Sequence, residues 1–263
     1  MIPRFFLGAL LAAVIVAVSL RARLLSTSGA VAATLVGSLA VTAGWSWGIL
    51  LVVFFALTAG LSAHQASQKR EITRGMLAKD TARDAVQVLS NGGVFALAAL
   101  AWLSTASGIW LAAGAGAIAA AAADTWATEI GIAFGGVPRS ILSWKSAQAG
   151  TSGAITAVGS LGGLLGAAAI AGTVLIIGWP RHVATAAFFA GVSGMVIDSV
   201  LGATVQSRRH CSVCDMETEQ LVHHCGRGTQ TLRGVRWIDN DAVNTLATIS
   251  GAMAALGIVL ACG

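Results

Sequence analysis

The chain has 263 residues, 56% of them hydrophobic and only 10% charged, with a mean hydropathy of +0.80. A soluble domain carries roughly 25% charged residues, so this chain lacks the polar surface to be a water-soluble globule. Its formal charge of +5 does not imply a nucleic-acid partner, because the cations sit in short loops between apolar runs, where orientation in a bilayer accounts for them.

The first apolar run, 3–20, follows a basic front end and so has the outline of a signal peptide. It ends Val18-Ser19-Leu20-Arg21 with no small-residue cleavage site, and further apolar runs follow at once, so it reads as a first membrane span. A helix needs roughly 20 mainly apolar residues to cross a bilayer. Seven more runs qualify, at about 26–43, 45–63, 85–104, 109–131, 152–178, 183–206 and 241–261. The second is rich in Ser, Thr and Gly and the fourth opens on polar residues, which makes them the weakest. The expected fold is an all-α membrane protein of about eight transmembrane helices, a single polytopic domain over 1–263. Abundant Gly and Ala with little Pro suit closely packed membrane helices. The pattern Gly159, Gly162, Gly163 and Gly166 in the sixth span, like Gly29, Ala33 and Gly37 in the second, reads as helix contact.

The loops alternate in charge. Arg21 and Arg23, then Lys69, Arg70, Arg74, Lys79 and Arg83, then Arg139 and Lys145, then Arg208, Arg209, Arg227, Arg233 and Arg236 fill the odd-numbered loops, and only Arg4 and Arg181 of the 16 cations fall elsewhere. The positive-inside rule places the odd loops in the cytosol and both termini outside. Trp45, Trp47, Trp102, Trp110 and Trp179 then lie at the outer interface and Trp126, Trp144 and Trp237 near the inner one, as two aromatic belts.

Polar residues inside the spans gather at the cytosolic end. Span four opens with Arg83, Asp84, Gln87 and Asn91, a stripe at about 100° per residue. Span five carries Asp124 and Glu129, span six starts near Thr151 and Ser152, span seven carries Asp198, and span eight starts with Asp239, Asn240, Asp241 and Asn244. Asp124 and Glu129 lie about 140° apart on an ideal helix, which points to separate roles unless the helix loosens near Gly131. Gly191, Gly194, Asp198 and Gly202 share one face of span seven, leaving room for a ligand or a neighbouring backbone. Thr151 and Ser152 have a plain alternative as a cap of span six, and Asp239 or Asn240 as a cap of span eight. Ionisable groups within spans are costly and tend to mark ion, substrate or proton sites, so Asp124 and Asp198 lead as metal ligands, with Glu129 and Asp241 beside them as catalytic candidates. Carboxylates, amides and hydroxyls without histidine form a hard oxygen set suited to Mg²⁺ and substrate phosphates. Lys69, Arg70, Lys79 and Arg83 are placed to hold phosphates, or else only to set topology.

The loop at 207–240 adds Cys211 and Cys214 in a CxxC, then His223, His224 and Cys225. This is the spacing of a Cys₃His zinc site in which either histidine can ligate, and its closed ligand set favours a structural role. A reducing compartment disfavours a disulfide there.

The stretches Ala123-Asp124-Thr125-Trp126-Ala127-Thr128-Glu129-Ile130-Gly131, Gly150-Thr151-Ser152-Gly153, Asp198-Ser199-Val200-Leu201-Gly202-Ala203 and Asn240-Asp241-Ala242-Val243-Asn244, with Arg83-Asp84, Gln87 and Asn91-Gly92-Gly93, together resemble a family of integral membrane proteins. That family includes the plant chloroplast phytyl-phosphate kinase and an uncharacterised animal transmembrane protein. The resemblance implies transfer of a nucleotide γ-phosphoryl group, CTP first among nucleotides, with Mg²⁺, to an isoprenoid monophosphate lying among membrane lipids at the inner headgroup level. The protein is expected in a prokaryotic inner (plasma) membrane, with the cation bias placing its site on the cytosolic side. No Walker-type phosphate loop is present. A cytidylyltransferase-like lipid enzyme and a lipid or ion transporter are the competing readings, the latter disfavoured because transporter sites usually lie near the bilayer midplane. Homo-oligomerisation stays open.

Overall fold

A computed structural model describes the backbone at residues 2–73, 75–78 and 82–262, and the side chains of these residues apart from 2–3 and 64–70. Eight helices follow the eight apolar runs: α1 (Ile2–Arg21), α2 (Thr27–Ala43), α3 (Trp45–Ile72), α4 (Ala85–Thr105), α5 (Ile109–Phe134), α6 (Ala157–Ile176), α7 (Arg181–Thr204) and α8 (Asn240–Cys262). Seven of them are long and apolar enough to cross a membrane. The exception, α2, has 17 residues, about 25 Å of helix. It still traverses the bundle. Its first turn abuts the Arg83 carbonyl at Gly29, and its last turn packs Val41 against Gly8 of α1 and Gly48 of α3.

Helix ends follow local chemistry. Ser26 caps α2 by accepting the Gly29 N–H at 3.2 Å. Asp84 and Gln87 form a reciprocal capping box at the start of α4, at 2.9 and 3.1 Å. Asp239 accepts the Ala242 N–H at 3.0 Å at the head of α8, as the capping alternative anticipated. The start of α6 differs from expectation. Its cap is Thr156, which accepts the Gly159 N–H at 2.9 Å, so Thr151 and Ser152 precede the helix. Gly150 (φ +84°) and Gly153 (φ +76°) bend the chain there through left-handed conformations that side chains disfavour. The strand β2 (Ala154–Ile155) then pairs antiparallel with β1 (Arg139–Ser140).

Helix α5 is the central post, packed on α3, α4, α6, α7 and α8. From Leu111 to Ala123 every residue is buried, and all but two are Ala or Gly. Small side chains let backbones meet: a Cβ on Gly116 would stand 2.5 Å from the Gly251 carbonyl of α8, and one on Gly166 would stand 2.9 Å from the Ala122 carbonyl. The glycine stripe of span six is thus a contact face. The same holds for Gly191 and Gly194 of α7, set against Ala119 and Ala120, while Gly202 meets the Gly153 backbone. The room left on that face is filled by neighbouring chain rather than ligand. Around this core, Leu97, Leu100, Leu161, Leu165, Ile176 and Phe189 point outward, as lipid-facing side chains do. The aromatic belt is only partly as expected: Trp45 is exposed, but Trp47 and Trp179 pack edge to face at 5.0 Å inside the core, with Phe95 tilted against Trp47.

The loop after α7 folds into a three-stranded sheet ordered β4-β3-β5, from β3 (Arg208–Cys211), β4 (Met216–Thr218) and β5 (Gln230–Arg233). It is tied to the end of α7 by Val235 N–H to the Val205 carbonyl at 2.9 Å, Ser207 N–H to the Ile238 carbonyl at 2.7 Å, and Arg233 to the Ala203 carbonyl.

Candidate functional site

The polar ends of the helices enclose a cavity of about 640 Å³. Asp124, Thr128 and Glu129 of α5, Asp198 of α7, and Asn240, Asp241 and Asn244 of α8 line it, as do Gln87 and Asn91 of α4 and the Thr151–Ser152 bend. Five separated stretches of sequence therefore meet in one place.

Its centre is a carboxyl pair. The Asp124 and Asp198 side chains come within hydrogen-bonding reach of each other across the α5–α7 contact, and Asp198 Oδ1 is buried with no hydrogen-bond partner among the described residues. Both residues are half-buried, and two carboxylates in contact repel unless a proton or a cation stands between them. A buried acceptor with an open lone pair, beside a second carboxyl and an oxygen-rich wall, fits a hard divalent cation. Asp241 is buried near the head of α8, and Asn240 and Asn244 follow one turn apart on the cavity side.

Glu129 serves another wall. Helix α5 runs unbroken through Gly131 to Phe134, so the two acidic residues stay on different faces. Ser62 of α3 donates to Glu129 Oε1 at 2.9 Å. Arg83 lines the same side, where burial lowers its guanidinium below the ordinary value and the Glu129 carboxylate opposes that fall. Of the other cations expected to hold phosphate, Lys79 lies outside the described residues; Lys69 and Arg70 lie in α3, with their side chains outside the described set. Arg23, a cavity residue the sequence did not single out, takes part from the turn after α1.

The polar stripe of α4 divides in two. Asp84 is the cap described above and does not line the cavity, because its carboxylate is turned to the Gln87 N–H. Gln87 and Asn91 do line it, although the Gln87 carbonyl of the side chain closes the capping box and Asn91 Nδ2 donates to the Gln87 main-chain carbonyl at 3.0 Å. Ser152 donates to Glu219 Oε1 at 2.6 Å, and Gln206 Nε2 donates to the same oxygen at 2.9 Å. Burial pushes the Glu219 carboxyl above its ordinary range, against the pull of Ser152, the Ala78 N–H and Arg208. Glu219 was missed in the sequence because it lies in a loop; its nearness to the Cys/His motif was the available signal.

Cys211, Cys214, His223 and Cys225 bring one ligand atom each to within 4.8 Å of one another. The geometry chooses between the histidines. His223 is buried, and His224 leans on it from outside, its ring tilted, at 4.0 Å between ring centroids.

The chain matches the family described as "Integral membrane protein DUF92" over residues 10–252. It is 30% identical to "Protein PGR" of Arabidopsis thaliana, an alignment covering 94% of this chain and 93% of that one. It is also 26% identical to an uncharacterized membrane protein of Methanocaldococcus jannaschii, over 98% of this chain and 95% of the relative. No solved structure matches it. With most of its length matched, and with a bundle of apolar helices to carry that match, the chain belongs to the DUF92 integral membrane family.

Proposed function

We propose that this protein is a membrane-embedded kinase that transfers a nucleotide phosphoryl group to an isoprenoid monophosphate. The observation that carries the reading is the Asp124–Asp198 pair with its buried, unpartnered Asp198 oxygen, at the polar end of a bundle whose outer surface is apolar. Mg²⁺ held there by Asp124 and Asp198 would offset charge on the phosphates of the nucleotide, CTP for preference. Arg83 and Arg23 stand on the cavity wall for the acceptor phosphate. An oxygen of the acceptor phosphate attacks the γ-phosphorus, the bond from the γ-phosphorus to the β–γ bridging oxygen breaks, and the nucleoside diphosphate leaves. Phosphoryl transfer of this kind is mostly positioning and charge stabilisation. A prenyl tail would lie against the outward apolar side chains with its phosphate at headgroup level. The cation-rich loops support a cytosolic location for this end, in a prokaryotic inner membrane.

The test is an assay of purified protein with phytyl, geranylgeranyl and farnesyl monophosphates against each nucleoside triphosphate, with products identified by mass spectrometry. A prenyl diphosphate with a nucleoside diphosphate is the expected outcome. Release of pyrophosphate with a nucleotide–lipid product would instead establish a cytidylyltransferase, and no turnover with any pair would overturn the enzyme reading.

A further inference from the structure

The sheet β4-β3-β5 does more than bridge α7 to α8. Three consecutive residues starting at the last residue of β4 are stitched to the segment 75–78 that follows α3. Thr218 Oγ1 donates to the Gly75 carbonyl at 2.7 Å, Glu219 N–H donates to the Met76 carbonyl at 2.7 Å, and Gln220 Nε2 donates to the Leu77 carbonyl at 3.0 Å. From that seam Glu219 turns its carboxylate into the cavity, onto Ser152 and Gln206. The sheet is small, and its strands have three or four residues each. So short a sheet is marginal in water without packing or a cross-link.

The cross-link is at hand. Cys211 ends β3, Cys214 sits in the β3–β4 turn, and His223 and Cys225 come from the turn closed by the His223 N–H to Arg227 carbonyl bond at 2.8 Å. Cys211 Sγ and Cys225 Sγ stand 3.6 Å apart. A disulfide needs about 2.05 Å, whereas two thiolates on a tetrahedral Zn²⁺ at about 2.3 Å each would stand about 3.8 Å apart. His223 is 1% exposed, and among the described residues neither ring nitrogen has a well-aligned hydrogen-bond partner, although the Gly75 main chain lies beside the ring. A buried imidazole whose nitrogens lack well-aligned partners is costly unless one of them holds a ligand. Gly75 completes the pocket: a Cβ there would stand 2.9 Å from His223 Nε2 and 2.7 Å from His224 Nδ1.

We infer that Cys211, Cys214, His223 and Cys225 hold one structural Zn²⁺, and that this ion pins the 75–78 segment and Glu219 over the cavity. The metal closes the turn carrying His223 and Cys225 onto the β3–β4 hairpin, and the hairpin presents Thr218–Gln220 to the segment. Three thiolates and an imidazole leave no open position, so the ion braces and does not react. This inference is independent of which reaction the cavity performs.

Two measurements test it without recourse to activity. Elemental analysis of protein purified without added metal should give about one zinc per chain, kept by His224→Ala and lost by His223→Ala and Cys214→Ser. To keep the test independent of how those variants fold, the wild type is also loaded with Co²⁺ in place of zinc, when intense visible bands of tetrahedral thiolate coordination are expected. Hydrogen exchange after chelation of the wild type should then rise tenfold or more at Met76, Ala78 and Glu219, with α5 still protected. Absence of zinc, iron in its place, a mass lowered by disulfide formation, or loss of zinc from His224→Ala with retention in His223→Ala would each overturn the site. Zinc loss with no change in exchange would overturn the pin.

Discussion

At the residue scale the proposed reaction turns on Asp124 and Asp198, which drew attention in the sequence because ionisable groups inside apolar spans have few structural reasons to be there. Replacing either by Asn keeps the shape and removes the charge that a cation needs. Asp124→Asn and Asp198→Asn should therefore fold, as judged by a monodisperse elution profile in detergent, while turnover falls by about 100-fold or more. Near-normal Mg²⁺-dependent turnover in both variants would dismiss the pair. Glu129 belongs to the Ser62 and Arg83 wall, so Glu129→Gln should chiefly raise KM for the phosphate substrate, measured by steady-state kinetics with each substrate varied. Other assignments were not legible. His223 and His224 are neighbours in sequence, and only the fold of their turn buries one and leaves the other outside. Asp84 and Asn91 looked alike as polar residues at a helix start; the capping box separates them.

At the element scale the helices were legible because each is a long apolar run, and their starts were legible where a cap residue preceded them. The start of α6 was not, since the bends at Gly150 and Gly153 and the pairing of β1 with β2 depend on residues far apart in sequence. The extramembrane sheet was hidden for a similar reason: its strands are too short for periodicity to register. What the glycines do can be tested directly. A methyl at Gly116 would meet the Gly251 carbonyl and the Ala255 Cβ at 2.6 Å, neither able to swing away, whereas one at Gly172 meets nothing within 4 Å. Gly116→Ala should cost about 1–3 kcal/mol, lowering Tm in detergent by about 2–12 °C, and Gly172→Ala should leave Tm unchanged or raise it. Equal responses would mean that α5 and α8 are not in backbone contact.

At the scale of the whole molecule, the cavity sits at one end of the bundle and Cys262, exposed at the end of α8, at the other. The cation distribution predicts opposite sides of the membrane for the two. A membrane-impermeant maleimide should label Cys262 in intact cells, and should label a Ser212→Cys thiol only after permeabilisation. The reverse pattern would invert the protein.

The alanine-rich post has a consequence for how the protein is made. Of the seven spanning helices, α5 has the lowest mean hydropathy and the greatest burial, since Ala and Gly give close contact but little affinity for lipid. During synthesis it emerges before α6, α7 and α8, the neighbours that will enclose it. A helix so weakly apolar, carrying Asp124 and Glu129 near its end, has a poor claim on the bilayer by itself. Insertion of α5 is therefore expected to depend on the later helices: a chain truncated after α5 should place that span across the membrane less efficiently, by glycosylation mapping, than the full chain does.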